Sequence, residues 1–361
     1  MIVKREAMDY IGKDYQYSHY ECDRIKILKV IAIIFVVYMH SFASEINLSG
    51  QSLHLNDISS NLYNFEFIIS NGLARCGNAI FFFLSVFLLY GKRRHYLGTI
   101  KRKIKTLLFP FLFWNTFWII IFIMFQEFPY TSNLFSGNYG RIIDSDFIDI
   151  LKLYGIGSEA PLANQLWFLR DLCIATIASP VIWYFSQLSP IIMAIIGWGG
   201  YIFLPSMPLK GAIFLYIAAA SYVASDKKIK DIDRLTNIQV FTIYFICWIV
   251  ATATDSRILK NLFDCLSIFT WIYISGKLCV YKNINSIFEK LANWTFIIYV
   301  LHNIPLQFIK KIMIIILPIT PLILGIEYVF LPIIIIIICV LTGKCIKRVF
   351  PQIYNFSTGS R

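Results

Sequence analysis

Two histidines are the residues of this sequence best suited to chemistry near neutral pH. His40 and His302 are two of only five histidines, and both fall inside long apolar runs. An ionisable group in such a run is costly and is therefore a functional candidate by default. Imidazole gains and loses a proton near neutral pH, so His40 is a candidate general base. The alternatives are an interfacial histidine that hydrogen-bonds to a neighbour for His40, and simple packing for His302.

Lys29 accompanies His40 on the same predicted helix, eleven positions earlier. Eleven residues make three helical turns with about 20° left over, so both residues share one face, roughly 16 Å apart. Lys29 is expected near the inner end of this helix and His40 near its outer end. Alternatively, Lys29 extends its ammonium group to the inner lipid headgroups.

Two arginines also lie in apolar runs. Arg75 is too far from the nearest basic loop to reach the headgroups, so it is expected to pair with a carboxylate or an anionic ligand. Arg170 and its neighbour Asp171 begin another run close to the outer interface, where a structural ion pair explains them equally well. Asp264 and Glu327 are the candidate acidic partners.

The composition indicates a membrane protein. Of the 361 residues 58% are apolar and 15% charged, and the mean hydropathy is +0.65. Soluble domains are nearer half apolar and a quarter charged. The composition excludes a disordered chain, a disulfide-rich secreted module and a nucleic-acid binder, since the net charge of +12 falls in loops between apolar runs. The eight cysteines form no CxxC pair and are predicted to stay thiols, and no metal, P-loop, dinucleotide or nucleophile-elbow motif occurs.

The apolar runs predict an all-α fold, a polytopic transmembrane bundle of about ten helices that forms a single integral membrane domain over 1–361. A spanning helix needs roughly 20 apolar residues. The runs lie near 26–42, 66–91, 105–126, 165–186, 188–204, 211–225, 237–254, 259–280, 293–316 and 320–343. Pro190, Pro205 and Pro208 punctuate the fifth and sixth runs, which are short.

Basic residues predict the orientation of the bundle, because cytoplasmic loops carry an excess of Lys and Arg. With the N-terminus inside, 22 of the 33 basic residues fall in inner segments and 5 in outer segments. The N-terminal segment 1–25 and the tail 344–361 are then cytoplasmic, and segment 127–164 covers the outer face. Lys310 and Lys311 are expected to extend outward to the headgroups.

Four segments, in order, resemble the membrane acyltransferase 3 family, which includes bacterial O-acetyltransferases of surface polysaccharides. They run from about residue 24 to 305 and read RIKILKVIAIIFVVYMHSF, RCGNAIFFFLSVFLLYG followed by KRKIKTLLFPFLFW, LWFLRDLCIATIASP, and FIIYVLHNIP. The chain departs from the family pattern at two positions. Lys29 stands where the family commonly has Arg, which loses the bidentate fork, and Val86 stands where a Gly usually follows the serine.

The resemblance implies a membrane O-acyltransferase of the plasma membrane, in bacteria the inner membrane. It implies acetyl-CoA as the acyl donor, no metal, and a hydroxyl of a cell-surface glycan or its lipid-linked precursor as the acceptor. In that interpretation His40 takes the proton of the hydroxyl, either directly or through an acyl-histidine intermediate. The residues with assigned or supporting roles are His40, Arg75 and Arg170 in catalysis, Lys29 and Arg75 in donor binding, and Ser85, Trp167, Asp171 and His302 in support.

Two other classes of function stay open from the sequence. A glycan or lipid transporter, or flippase, would place the same charged residues along a path, and a glycan polymerase would also be multi-pass with an extended outer loop. Broken helices at the midplane and two repeated halves would favour the transporter. The sequence has no detectable repeat, and segment 127–164 is short for a polymerase.

The charge asymmetry makes a testable prediction about topology. A reporter fused after residue 99 should be cytoplasmic, because seven basic residues lie between positions 91 and 105. A reporter fused after residue 135 should be external. Alkaline phosphatase and green fluorescent protein fusions measure the two sides. If both fusions report the same side, the helix between them does not cross the membrane and the predicted orientation is wrong.

Overall fold

A computed structural model of the chain describes residues 10–48, 51–132, 140–157, 160–205, 209–234 and 238–360. Three sequence predictions fall partly outside these residues. They concern the first nine residues of the N-terminal segment, Pro208, and parts of the predicted outer segment 127–164.

The described chain is almost entirely helical, with two short antiparallel pairs of strands. The strands are β1 Tyr10–Ile11 with β4 Arg94–His95, and β2 Glu45–Leu48 with β3 Gln51–His54. The α-helices are α1 His19–Ser41, α2 Leu55–Ile58, α3 Ser60–Phe67, α4 Cys76–Tyr90, α5 Tyr96–Lys103, α6 Phe109–Glu127, α7 Phe147–Leu153, α8 Trp167–Ile177, α9 Ser179–Leu188, α10 Pro190–Phe203, α11 Lys210–Ala224, α12 Ile238–Thr254, α13 Arg257–Cys279, α14 Lys282–Ala292, α15 Thr295–Leu301, α16 Asn303–Ile316, α17 Pro321–Val349 and α18 Pro351–Thr358.

The predicted fold class, an all-α membrane helical protein, is confirmed, and every predicted apolar run carries a helix. Four continuous helical stretches in the described residues are long and apolar enough to cross a membrane, and the bent pairs α8–α9 and α15–α16 raise the number to six. Helices α10, α11 and α12 are shorter, because 14 to 17 residues span only about 21–26 Å. That length is less than the hydrocarbon core of about 30 Å, so the count of ten crossings stays a prediction.

The contacts divide the chain into two compact units, each assembled from three separate segments. The arginine unit comprises residues 1–36, 72–105 and 171–295, and the histidine unit comprises 37–71, 106–170 and 296–361. The prediction that 1–361 forms a single membrane domain stays a prediction.

Small residues allow helices of the arginine unit to pack closely. A Cβ atom on Gly197 of α10 would lie 2.5 Å from the backbone nitrogen of Ala218 on α11, and one on Gly77 of α4 would lie 2.7 Å from the carbonyl oxygen of Ala32 on α1. Backbones that approach this closely gain the dispersion contacts that join helices in a bilayer, where lipid tails are as apolar as leucine.

The histidine unit is held together by a hairpin and by its own C-terminal end. Strands β2 and β3 connect α1 to α2 and bury Ile46 against Leu55, Ile314 and Leu324. The predicted tail is not a separate extension, because α17 continues to Val349 and α18 packs against α6. There the indole of Trp114 donates a hydrogen bond to the carbonyl of Ser357, at 2.9 Å.

The contact at Gly197 predicts a difference between two glycines on the same helix. Gly197→Ala should destabilise the protein by about 1–3 kcal/mol, because the new methyl group meets the α11 backbone. Gly199→Ala has open space around it and should stabilise by up to about 1 kcal/mol, through helix propensity alone. Thermal unfolding of the purified variants measures both effects. Equal melting temperatures for the two variants would contradict the proposed close packing.

Candidate active site

Helix α1 ends inside the histidine unit, and side chains of α16 satisfy its last carbonyl groups. The amide of Gln307 donates to the carbonyl of His40 at 2.7 Å, and the ammonium of Lys310 donates to the carbonyl of Ser41 at 2.9 Å. The last four carbonyls of a helix have no partner within the helix, so these bonds replace water there. A positive charge at a helix C-terminus also opposes the negative end of its dipole. The two bonds therefore fix the position of the backbone that carries His40.

The side chain of His40 lies beside that of His302. Their ring centroids are 5.2 Å apart and the rings are inclined by 54°. His302 is fully buried at the bend between α15 and α16, whereas His40 is partly exposed. The structure thus brings together the two histidines that the sequence singled out, although packing alone had been an alternative for His302.

The surroundings of His302 determine its tautomer. Its Nδ1 lies 3.0 Å from the carbonyl oxygens of both Ile298 and Tyr299. Both neighbours can only accept hydrogen bonds, so Nδ1 carries the proton and Nε2 carries the lone pair. Among the described residues that buried Nε2 has no hydrogen-bond partner. His302 therefore presents a proton acceptor in a dry position next to His40.

A glutamine that sequence analysis missed joins the LWFL segment to this bend. Gln165 is buried and donates to the carbonyl of Val300 at 3.1 Å, while the hydroxyl of Tyr299 donates to the carbonyl of Gln165 at 2.6 Å. Asn303 donates to the side-chain oxygen of Gln165 at 3.3 Å. The one signal in the sequence is a polar residue directly before LWFL, and it is too common to identify such a role.

The LWFL segment opens helix α8, which places three predicted site residues. Trp167 and Arg170 belong to the histidine unit, and both are partly exposed. The guanidinium of Arg170 donates to the carbonyl of Gly155 at 2.7 Å. Asp171, the first residue of the next segment of the arginine unit, is buried. Arg170 therefore fixes the loop that contains Gly155.

In the arginine unit, Arg75 forms the predicted pair with a carboxylate. Its Nε and Nη2 atoms lie 3.0 and 2.9 Å from the two carboxylate oxygens of Asp264, and Tyr201 donates to the same carboxylate at 3.0 Å. Asp264 is buried, whereas 25% of the Arg75 side chain is exposed. The seven residues before Arg75, Ile68–Ala74, form a π-helix, a distortion that occurs often at functional sites.

The remaining predicted residues lie on helices of the arginine unit. Lys29 and Ser85 are partly buried on α1 and α4, and Val86 beside Ser85 is fully buried. Arg24 was counted in the sequence as a loop charge, but it is completely buried on α1. It binds Asp233 through two hydrogen bonds of 2.8 Å each. In the sequence, the place of Arg24 directly before the first apolar run is the one feature that could have indicated its burial.

The prediction that Lys310 extends outward to the headgroups is wrong. Lys310 is only 4% exposed, and its ammonium binds the carbonyl of Ser41 and lies 3.8 Å from a carboxylate oxygen of Glu327. The predicted acidic partner Glu327 thus faces a lysine. Hydropathy indicates how deep a residue lies in the membrane, but not which side of its helix faces a buried hydrogen-bond acceptor. The sequence therefore could not distinguish a Lys310 that reaches the headgroups from one that is buried.

Comparison with known proteins decides the family. A model of an acyltransferase domain, that of the acyltransferase 3 family, matches residues 23–344. The chain belongs to this family. No curated protein and no solved structure matches it detectably. All four resembling segments, together with the histidine pair and the Arg75–Asp264 pair, lie within the matched range of this acyltransferase.

Family membership supports acyltransferase activity in a multi-pass membrane protein. It therefore defines the chemical groups that the active site must provide. Acyl transfer to a hydroxyl needs a base and a means to stabilise negative charge on the carbonyl oxygen. Within the histidine unit, His40 and His302 are imidazoles that can act as a base. Within the arginine unit, taken by itself, Arg75 carries a guanidinium with one edge occupied by Asp264. Among the described residues no cluster of His, Cys, Asp and Glu could hold a metal ion.

The Arg75–Asp264 pair predicts that the contribution of Arg75 to stability and its contribution to activity can be separated. Arg75→Met should destabilise the acyltransferase by about 1–3 kcal/mol, because Asp264 is left buried and unpaired. The double variant Arg75→Met, Asp264→Asn removes both charges and should restore membrane abundance and melting temperature. Its acyl transfer should remain roughly a hundredfold below that of the wild type, if the guanidinium also stabilises developing charge.

Two measurements on the same membranes test this prediction, a blot for abundance and ester formation for activity. Recovery of both in the double variant would show that Arg75 acts only through folding.

Proposed function

We propose that this acyltransferase transfers an acetyl group from acetyl-CoA to a hydroxyl of a cell-surface polysaccharide or of its lipid-linked precursor, at the plasma membrane. The proposal extends the family activity by naming the donor and the acceptor class. The observation that supports it most is the pair of His40 and His302, held at the end of α1 with one imidazole in a defined tautomer.

In the proposed reaction His40 is the catalytic base. As the acceptor oxygen attacks the thioester carbonyl, His40 takes the hydroxyl proton, and the C–O bond of the new ester forms. The C–S bond then breaks, and the departing thiolate receives the proton from His40. His40 is assigned this step because it is the less buried member of the pair. An acyl group carried on His40 itself is the other route.

His302 acts as a positioning residue in this mechanism. It is fully buried, so it reaches the substrate only through His40. Its Nδ1 proton is committed to two backbone carbonyls, and its Nε2 lone pair has no hydrogen-bond partner among the described residues. In this proposal the buried ring holds the ring of His40 in place by packing against it, and the lone pair stabilises the imidazolium that forms on His40.

Cationic groups would serve the anionic donor and the transition state. Lys29 stands on α1 in place of the family's usual arginine. Its ammonium is a point charge that suits a phosphate but lacks the bidentate geometry of a guanidinium. Asp264 occupies the Nε–Nη2 edge of the Arg75 guanidinium, and the Nη1 edge is the one that would face negative charge in the reaction. Arg170, which holds the loop at Gly155, has the corresponding role at the start of α8.

The enzyme claim depends on His40. His40→Ala should lower acetylation of the surface glycan by roughly 10² to 10⁴, the loss typical of a positioned base. His40→Gln keeps a hydrogen bond but no titratable proton and should be equally inactive. Ester content of the purified glycan is measured by mass spectrometry and NMR, with protein abundance checked by blot. Full acetylation in a His40→Ala strain would contradict the mechanism and favour the transporter.

The role of His302 is tested with a substitution that preserves its backbone bonds. The side-chain amide of asparagine can donate to the carbonyls of Ile298 and Tyr299 as Nδ1 does, but it offers no imidazole lone pair. His302→Asn should therefore keep the melting temperature and the apparent KM for acetyl-CoA, and lower kcat roughly tenfold or more. His302→Ala should in addition lower the melting temperature. An unchanged kcat in His302→Asn would return His302 to a packing role.

A further inference from the structure

A small cavity in the histidine unit lies next to the end of α1. Apolar side chains line most of it, and they come from the segment after α1, the β2–β3 hairpin, α2 and α17. These are Ala43, Ile46, Leu53, Leu55, Ile58 and Leu324. The polar part of the wall is formed by Glu66, Lys310 and Glu327. The space accommodates about one water molecule.

The three polar residues are almost completely enclosed by protein. Glu66 is 1% exposed, and Lys310 and Glu327 are each 4% exposed. The Oε2 atom of Glu66 has no hydrogen-bond partner among the described residues, although it is buried at the cavity wall. An unpartnered buried oxygen of this kind is costly, so the cavity must offer it a hydrogen-bond donor, or the oxygen must itself carry a proton.

The charges of the cluster do not balance if all three groups are ionised. Two carboxylates and one ammonium leave one negative charge in a nearly dry space, and Glu66 interacts electrostatically with both Lys310 and Glu327. The other titratable or charged groups on the elements around the cavity do not supply a compensating charge. Glu45, His54 and Asp57 are exposed, as are Lys344, Lys347 and Arg348 at the far end of α17, and Lys311 is partly exposed. Tyr38, Tyr63 and Tyr328 are neutral phenols, and the rings of His40 and His302 contact each other.

We propose that Glu66, Glu327 and Lys310 form a proton-binding site that holds one proton, shared by the two carboxyl groups, at neutral pH. One added proton makes the cluster neutral, and two carboxyl groups in one dry site avoid being ionised together. The protonated carboxyl also supplies the O–H group that the cavity otherwise lacks. The proposal does not depend on the acyl donor or acceptor.

The site has a direct connection to the base-bearing helix through Lys310. Its ammonium lies closer to the Ser41 carbonyl, at 2.9 Å, than to the carboxylate of Glu327, at 3.8 Å. With one carboxyl protonated, a single carboxylate competes with that carbonyl for the ammonium. Loss of the shared proton adds a second competitor, so occupancy of the site keeps Lys310 on the end of α1.

Infrared spectroscopy of the purified full-length protein in micelles of an ester-free detergent tests the site without any substrate. The carbonyl stretch of a protonated carboxylic acid is recorded at pH 7 for wild type and variants. Either Glu66→Gln or Glu327→Gln should remove the band, because the single remaining carboxylate then pairs with the ammonium of Lys310. Lys310→Met should instead raise the band about twofold, because both carboxyl groups then hold a proton.

Glu127→Gln is the matched control, because Glu127 is an exposed glutamate that is paired with Arg141 and should not contribute to the band. A band removed by both glutamine variants and kept in the control supports the shared proton. A band removed by only one of them would assign the proton to a single acid, and no loss in either would show that both carboxylates are ionised. Each of these two results overturns the proposal. Acyl transfer is not measured, so failure here leaves the proposed function untouched.

Discussion

The end of helix α1 must be satisfied inside the protein, and the arrangement of the histidine unit follows from that requirement. A helix that stops in water can leave its last carbonyls to the solvent, but α1 stops where α16 and α17 pack around it. Gln307 and Lys310 therefore point at the carbonyls of His40 and Ser41. Helix α16 begins directly after His302. The side chains that bond the end of α1 and the ring that contacts His40 therefore all come from residues 302–310.

The arginine unit solves a related problem with full ion pairs. Arg24 and Arg75 are each held by a bidentate carboxylate. Further polar groups contact both pairs: Ser275 and the carbonyl of Ile272 bond Arg24, and Tyr201 bonds Asp264. Charges in a low-dielectric interior need this degree of saturation, because attraction alone rarely repays their loss of hydration. Such pairs specify which segments meet, since Arg24 on α1 and Arg75 just before α4 are each neutralised by one particular carboxylate.

Much of the fold could be predicted from the sequence because hydropathy is a local property. The helical class, the apolar runs and the pairing of Arg75 with an intramembrane acid all follow from residue type and the scarcity of acids in the runs. The errors come from non-local geometry. The sequence predicts Arg24 among the inner loop charges and Lys310 at the headgroups, yet the groups that bind them are more than 200 residues away in the chain. Gln165 has no signal in the sequence beyond being polar.

The histidine pair shows the same limit. The sequence identified both residues, but not that the carbonyls of Ile298 and Tyr299, next to the bend between α15 and α16, orient the ring of His302. That information resides in a backbone bend of 53°, which neither propensity nor hydropathy encodes.

The discontinuous make-up of the histidine unit has a consequence for its biosynthesis. Helix α1 is made before the lysine that closes its end, which follows 269 residues later in the chain. At a synthesis rate of about 5–20 residues per second, that delay is roughly 15 to 50 seconds. For this period the last carbonyls of α1 must be satisfied by lipid headgroups, water or the insertion machinery. The backbone that carries His40 is therefore fixed only after α16 has been made, because Gln307 and Lys310 both lie on that later helix.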